Sequence, residues 1–156
     1  MRKFKSKVLN LNISDDVLSV FSDYVQDKKK KNESGGILLG QIKDNTIYLI
    51  KASVPNPFDK QSRYSFERNK EIAQIIVDHE FINSSNKTIY IGEWHTHPED
   101  YPTPSDPDKR MIMNQLKLSK YIEPNLFIII QGIKDLYVGI YDGKNLTKME
   151  EVKSNS

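Results

Sequence analysis

Apolar and polar residues alternate along the N-terminal part of the chain in two successive patterns. Residues 8–13 alternate at the period of a strand. Ser14 is suited to cap a helix, with Asp15 and Asp16 in the first turn, and an apolar stripe at helical spacing extends that helix to about Lys30. The pattern therefore predicts a strand followed by a helix.

The central part of the chain predicts a hairpin, a loop and a second helix. The predicted elements are a buried strand at 37–40 opened by two glycines, a turn at 44–45, a returning strand at 46–54, a proline-bearing loop at 55–62, a short extended piece at 63–66 and a helix at 69–83. The apolar side of this helix is predicted to carry His79, as a structural residue, among four isoleucines: Ile72, Ile75, Ile76 and Ile82.

The remaining pattern completes an α/β fold. It predicts a strand at 88–95, a proline-rich loop at 98–104, a third helix from near Ser105, strands at 125–131 and 136–142, and a last strand around 146–152. This order predicts a curved mixed sheet flanked by helices. We expect one domain over residues 1–156, with a frayed tail at 153–156.

Composition narrows the function classes. A net charge of +2 gives no reason to expect nucleic acid or a membrane as partner, and the run Lys28–Lys31 is interpreted as a solvated helix end. No apolar run approaches the ~20 residues of a membrane span, so a cytoplasmic location is expected. The absence of cysteine excludes disulfides, thiol nucleophiles and thiolate metal sites, so any metal must be held by histidine and carboxylate.

Two histidines one residue apart are the strongest chemical signal in the chain. His95 and His97 end a predicted strand, where side chains two apart share a face, and Pro98 stops the strand. With Asp108 they would form a three-ligand site of the kind zinc accepts, with a fourth position open for water. The same ligand set also suits iron(II). The residues from Ser105 to Asp108 by themselves read as a helix cap, which is compatible with a metal role for the aspartate.

A hydrolytic site also needs a base, and two glutamates compete for that role. Glu93 shares the strand face of the two histidines, as a base or as support for the ligands. Glu33 precedes a glycine pair at the entry to a buried strand. The residues alone do not choose between the two.

Four separated elements together resemble the JAMM motif of the JAB/MPN metalloproteases. They are Glu33 before Gly35-Gly36, the sequence His95-Thr96-His97-Pro98, Ser105 and Asp108, at the spacing of that motif. The resemblance implies a three-layer αβα sandwich over nearly the whole chain. It also implies that His95, His97 and Asp108 bind one zinc ion.

Further roles follow from the same resemblance. It implies that Glu33 is the general base and acid, that Ser105 stabilises the oxyanion, and that Glu93 only supports the ligands. The implied reaction hydrolyses the amide bond after the C-terminal tail of a ubiquitin-like protein or its conjugate. The Glu93-Trp94 pair and the small size resemble the prokaryotic branch, which includes deconjugating peptidases of antiphage CBASS operons acting on a cGAS-like nucleotidyltransferase.

Alternatives to this reading stay open at the level of the sequence. They are a processing peptidase for a sulfur-carrier or ubiquitin-like precursor, and a non-catalytic MPN scaffold. Trp94 faces away from His95 on a strand, which predicts a core position. The loop from Pro55 to Phe66 is expected to wall a substrate groove, where Arg63 would contact a tail carboxylate or carbonyl or remain solvated.

Overall fold

The structure, a computed structural model, describes residues 1–118 and 125–153, with the side chains of 115–118 left out. The expected frayed tail therefore lies outside the described residues beyond Lys153. The helices are α1 (Asp15–Asp23), α2 (Lys70–Asn83) and α3 (Asp106–Leu118). The strands are β1 (Arg2–Lys5), β2 (Asn10–Ile13), β3 (Gly35–Lys43), β4 (Thr46–Ala52), β5 (Lys60–Ser62), β6 (Ser65–Glu67), β7 (Ile89–Thr96), β8 (Leu126–Gln131), β9 (Leu136–Tyr141), β10 (Leu146–Lys148) and β11 (Glu150–Glu151).

Nine of these strands form one mixed sheet. Their order is β10-β9-β8-β7-β3-β4-β2-β1-β11, and β5 pairs with β6 in a separate hairpin. Two pairs, β2 with β4 and β7 with β8, are parallel, and the other pairs are antiparallel. Helix α1 packs on one face, and α2 and α3 pack on the other, which confirms the predicted α/β sandwich. Within residues 1–118 and 125–153, no helix is long and apolar enough to cross a membrane.

Each face of the sheet carries its own apolar core. On the α1 face, Phe21 and Trp94 are both buried, with ring centroids 5.1 Å apart. The Trp94 indole Nε1 donates to the Ser53 carbonyl at 2.9 Å, so its polar atom is satisfied. This confirms the predicted core position of Trp94. On the opposite face, Ala73 of α2 and Ile112 of α3 pack against the sheet.

A bulge in the central strand β7 decides which side chains share a face. Opposite β3, Leu38 pairs with Gly92 but Leu39 pairs with Tyr90, which leaves Ile91 as an extra residue. A Cβ at Gly92 would lie 1.9 Å from the Phe127 carbonyl oxygen, so the neighbouring strand leaves room only for glycine there. The extra residue brings Tyr90 to the same face of the sheet as His95.

The first helix is shorter than predicted. It ends at Asp23 instead of about Lys30, so the interpretation of Lys28–Lys31 as a helix end is wrong. The reason is tertiary: the buried Gln26 amide donates to the carbonyls of Lys31 and Arg63. These bonds require the chain to leave the helical path before residue 26.

The second helix has the predicted extent but buries a different face. Ile75 and Ile82 are exposed, and the inward side carries Ala73 with Ile76 and Val77. The small Ala73 lets the helix approach the sheet. Exposed isoleucines on other sides of the helix make its apolar face difficult to identify from the spacing of apolar residues. His79 is exposed and does not lie on the buried side of the helix as predicted, and its Nε2 lies 2.8 Å from Asn83 Nδ2.

Two short segments pair differently from the prediction. The extended piece predicted at 63–66 is the second half of a hairpin, β5 and β6, with Arg63 and Tyr64 in its turn. The predicted last strand divides into β10, which pairs with β9, and β11, which pairs with β1. Between them the Met149 amide bonds the Val138 carbonyl at 2.8 Å. The chain thus reaches both ends of the sheet within a few residues, which periodicity alone does not reveal.

Candidate metal centre

The end of β7 and the start of α3 bring three potential ligands together. His95 lies in β7, His97 follows that strand by one residue, and Asp108 is the third residue of α3. All three side chains are buried. A strand end and a helix start are both rigid. The three side chains are therefore held at the ends of regular elements and not on a mobile loop.

The two imidazoles converge on one carboxylate. Asp108 Oδ1 lies 2.7 Å from His95 Nε2, and Asp108 Oδ2 lies 3.1 Å from His97 Nε2. The two rings are parallel within 5°, with centroids 5.7 Å apart. The Nε2 atoms therefore point toward a common region beside the carboxylate.

Glu33 joins this cluster from the segment that leads into β3, the strand next to β7. Gly35 of β3 is the pairing partner of His95, so a side chain just before β3 reaches the end of β7. A Cβ at Gly35 would lie 2.5 Å from the Trp94 carbonyl oxygen, and glycine is needed for this approach. One ligand atom from each of Glu33, His95, His97 and Asp108 lies within 4.8 Å of all the others.

The chemistry of the cluster fits a metal ion. The His95 Nε2 atom is buried and has no hydrogen-bond partner in the described part of the chain, although a carboxylate oxygen is 2.7 Å away. A nitrogen close to an oxygen without the direction of a hydrogen bond is expected where both aim their lone pairs at a third atom. Two imidazoles with carboxylates are ligands for zinc and for other borderline transition metals.

Burial and mutual charge shift the pKa values within the cluster. Burial raises the pKa of Glu33 to about 7, although the nearby histidines oppose the shift. Burial also disfavours the Asp108 carboxylate, but the His95 and His97 imidazoles outweigh it and hold the pKa of Asp108 far below its usual range. Burial lowers and the Asp108 carboxylate raises the pKa of His97, with a net increase. A carboxyl with a pKa near neutrality is suited to exchange protons.

The second histidine has an outer partner that the sequence analysis missed. His97 Nδ1 lies 3.1 Å from Glu99 Oε1. A carboxylate on the far nitrogen of a ligating histidine fixes the ring and its tautomer. The position of Glu99 two residues after His97 was the available signal.

Ser105 lies at the edge of the cluster and caps α3. Its hydroxyl accepts from the Asp108 amide at 3.2 Å, and its own amide donates to Asp108 Oδ2 at 2.8 Å. This reciprocal pair is the capping box that the four residues indicate, and it orients the aspartate. The oxyanion role of Ser105 stays a prediction. Ser105 is an exposed residue, and its hydroxyl keeps its own proton to donate.

The two weaker candidates lie outside the cluster. Glu93 is buried, and its carboxylate pairs with the Arg68 guanidinium rather than with a histidine. Arg68 carried no recognisable signal in the sequence. Arg63 donates through Nη1 to the Lys28 carbonyl at 3.2 Å and to the Lys29 carbonyl at 2.7 Å, so part of its donor set is engaged within the chain.

Comparison with known proteins gives consistent matches. Residues 15–141 match the family described as prokaryotic homologs of the JAB domain. A CD-NTase/cGAS isopeptidase of Pseudomonas aeruginosa is 34% identical over 133 residues, 85% of this chain and 84% of that relative. One from Escherichia coli is 31% identical over 140 residues, 89% and 86% of the two chains. A probable metalloprotease of Sinorhizobium fredii is 27% identical over 100 residues, 63% of this chain and 61% of that protein.

The fold also has a solved counterpart. A solution structure of a protein from Desulfitobacterium hafniense matches with a TM-score of 0.62 and covers 88% of each chain. Its sequence identity is 16%, so the match concerns the fold alone.

Proposed function

The chain belongs to the family of prokaryotic JAB-domain homologs, and we propose that it is a zinc-dependent isopeptidase. The observation that carries this proposal is the buried group of Glu33, His95, His97 and Asp108, whose ligand atoms lie within 4.8 Å of one another. In the proposal, the two histidines and the aspartate hold one zinc ion. The substrate is the amide bond after the C-terminal tail of a conjugated protein.

The proposed chemistry divides among the chain's own residues. A zinc ion held at this site supplies Lewis acidity and makes water more acidic. Glu33, whose carboxylate lies in the four-residue cluster, accepts the proton of the attacking water and passes it to the departing amine. Ser105 donates its hydroxyl hydrogen to the carbonyl oxygen as negative charge develops there. Glu99 holds the His97 ring.

Two features support hydrolysis over the rival readings. A scaffold has no use for a buried glutamate beside two histidines and an aspartate, because burying four titratable groups costs stability unless they are paired or bind an ion. An iron(II) site would use the same three ligands, but it has no requirement for a further carboxyl group whose oxygen lies within 4.8 Å of theirs. Both features favour acid–base work on a water molecule.

The relatives support a protein substrate of one class. Two of them, at 34% and 31% identity over most of their length, are named CD-NTase/cGAS isopeptidases. We propose that this chain also acts on a protein of this class, that it releases material joined to the C-terminus of a cGAS-like nucleotidyltransferase, and that it does so in antiphage signalling in the cytoplasm.

The experiment uses two linear fusions, each with a fluorescent protein after a C-terminal tail. One tail belongs to a CD-NTase and the other to a sulfur-carrier protein, and cleavage is followed by gel and mass spectrometry. We expect zinc analysis to return about one ion per chain and cleavage to be confined to the CD-NTase tail. Glu33→Gln should lower the cleavage rate by about 10²–10⁴-fold, since general acid–base catalysis contributes that much.

Matched variants separate the possible failures. His95→Ala should lose zinc and cleavage together, while Glu33→Gln keeps zinc. Glu150→Gln, which changes an exposed glutamate on β11, serves as control and should cleave like the wild type. Cleavage of the sulfur-carrier fusion alone would show that the substrate is a sulfur-carrier precursor and not a CD-NTase conjugate. Full activity of Glu33→Gln, or a wild-type protein that binds no zinc, would overturn the proposed mechanism.

A further inference from the structure

Two buried residues outside the metal cluster, Gln26 and Thr96, connect the parts of the chain that hold Glu33 in place. Gln26 and Thr96 have exposed fractions of 1% and 0%. Thr96 lies between the two histidines but on the opposite side of the strand. The Thr96 hydroxyl donates to Gln26 Oε1 at 2.8 Å. Neither side chain is part of the four-residue cluster.

Thr96 also fixes the residue next to Glu33. Its hydroxyl accepts from the Ser34 amide at 3.0 Å, and its own amide donates to the Ser34 carbonyl at 2.9 Å. Ser34 is thus held at both backbone groups by the one residue that separates His95 from His97. These bonds join the residue next to Glu33 to the residue between the two histidines.

Gln26 extends the connection to the other side of Glu33. Its amide donates to the Arg63 carbonyl at 2.9 Å and to the Lys31 carbonyl at 3.2 Å. The hairpin that carries Arg63 also carries Ser62, whose carbonyl accepts from the Glu33 amide at 2.7 Å. The hydrogen bonds therefore close a ring that runs through Gln26, the hairpin, Glu33, Ser34 and Thr96.

Every polar group of the Gln26 and Thr96 side chains takes part in a hydrogen bond. The Thr96 hydroxyl gives its hydrogen to Gln26 and accepts from Ser34, and the Gln26 side chain uses both its oxygen and its amide. A buried network with every member satisfied holds one geometry, while a broken one leaves unpaired groups. A general base must stay within hydrogen-bond reach of its proton, so its backbone needs such a hold.

We propose that Gln26 and Thr96 are positioning residues that hold Glu33 at its working distance from the metal ligands. This inference rests on the proposed function, because it assigns the network to the base of that reaction. It predicts that breaking the ring slows turnover without removing the metal or weakening substrate binding. A network that served stability alone would not separate these quantities.

The test is Thr96→Val in the full chain, which keeps the shape and removes the hydroxyl. We expect zinc at about one per chain, KM within about threefold of wild type, and kcat lower by about 10–100-fold, as for a misplaced catalytic group. Thr96→Ser, which keeps the hydroxyl, should restore kcat to within about threefold. Gln26→Met removes the other half of the bond and should repeat the loss of kcat.

The matched control is Thr88→Val. Thr88 is equally buried and accepts from Gln41 Nε2 at 2.9 Å, so the same substitution removes a threonine–glutamine bond just before β7, away from the cluster. We expect wild-type kcat there. An equal loss in Thr88→Val, or wild-type kcat in both Thr96→Val and Gln26→Met, would overturn the inference. If the positioning role fails in this way but Glu33→Gln is inactive, the proposed function still stands. If Glu33→Gln is active, both the positioning role and the proposed function fail.

Discussion

The two faces of β7 carry opposite chemistry, although their side chains alternate along one strand. On the α1 face, Trp94 packs against Phe21 and satisfies its only polar atom through Ser53. On the other face, His95 Nε2 is buried and has no hydrogen-bond partner among the described residues. One face is complete without a ligand, and the other is not.

This difference shows how one strand can serve stability and function at once. Burying apolar area on the α1 face stabilises the fold, at roughly 25 cal/mol per Å². Burying Glu33 and the ligands on the other face costs stability until an ion or a proton compensates. Apolar packing on the α1 face stabilises the same strand and so offsets the cost of burying these polar groups on its other face. Stability measurements on each face therefore test the comparison.

The largest expected effect belongs to the α1 face of β7. Trp94→Ala should lower the free energy of unfolding of the metal-free protein by about 3–5 kcal/mol, because it removes a fully buried ring and leaves a cavity. Urea denaturation in the presence of a chelator measures the change. Tyr101→Ala, which truncates an aromatic that is 68% exposed, should stay within about 0.5 kcal/mol of wild type. A loss below about 1 kcal/mol for Trp94→Ala would refute the stabilising role of this face.

The next effect concerns the ligand face and appears only with metal. Zinc at a hundred times its dissociation constant should raise the free energy of unfolding by about 2.7 kcal/mol, because the ion binds the folded site. The measurement is the shift of the urea midpoint on adding zinc and its reversal by a chelator. His95→Ala should show little of this shift. An equal shift in wild type and His95→Ala would mean that zinc binds elsewhere.

The comparison also explains what the sequence could predict. The shared face of His95 and His97 was predictable from strand alternation, and the fixed orientation of Asp108 was predictable from the helix cap. The core position of Trp94 follows from the same alternation. The fold class was predictable because long apolar runs mark the central strands.

Other features depend on contacts between distant segments. The early end of α1 follows from the bonds of Gln26 to Lys31 and Arg63, and the second of these joins residues 37 apart. The buried face of α2 was mispredicted because isoleucines occur on several sides, and only the fit of Ala73 against the sheet selects one. The Arg68–Glu93 pair likewise joins two elements with no shared local pattern. Local periodicity contains no information on such pairings.

The smallest effect tests the cost of the buried base itself. Burial raises the pKa of Glu33 from 4.5 to about 7 in the metal-free protein, so the folded state binds its proton more tightly than the unfolded chain. The stability from this protonation is fully present below pH 4.5 and is lost as the pH rises through about 7. Glu33→Gln, a neutral mimic, should therefore be more stable than wild type at pH 8 by about 1–2 kcal/mol, with the difference disappearing toward pH 4.5. Urea denaturation of both proteins with chelator across this pH range measures this difference. A difference in the free energy of unfolding that does not vary with pH would show that burial does not disfavour the charged form of Glu33.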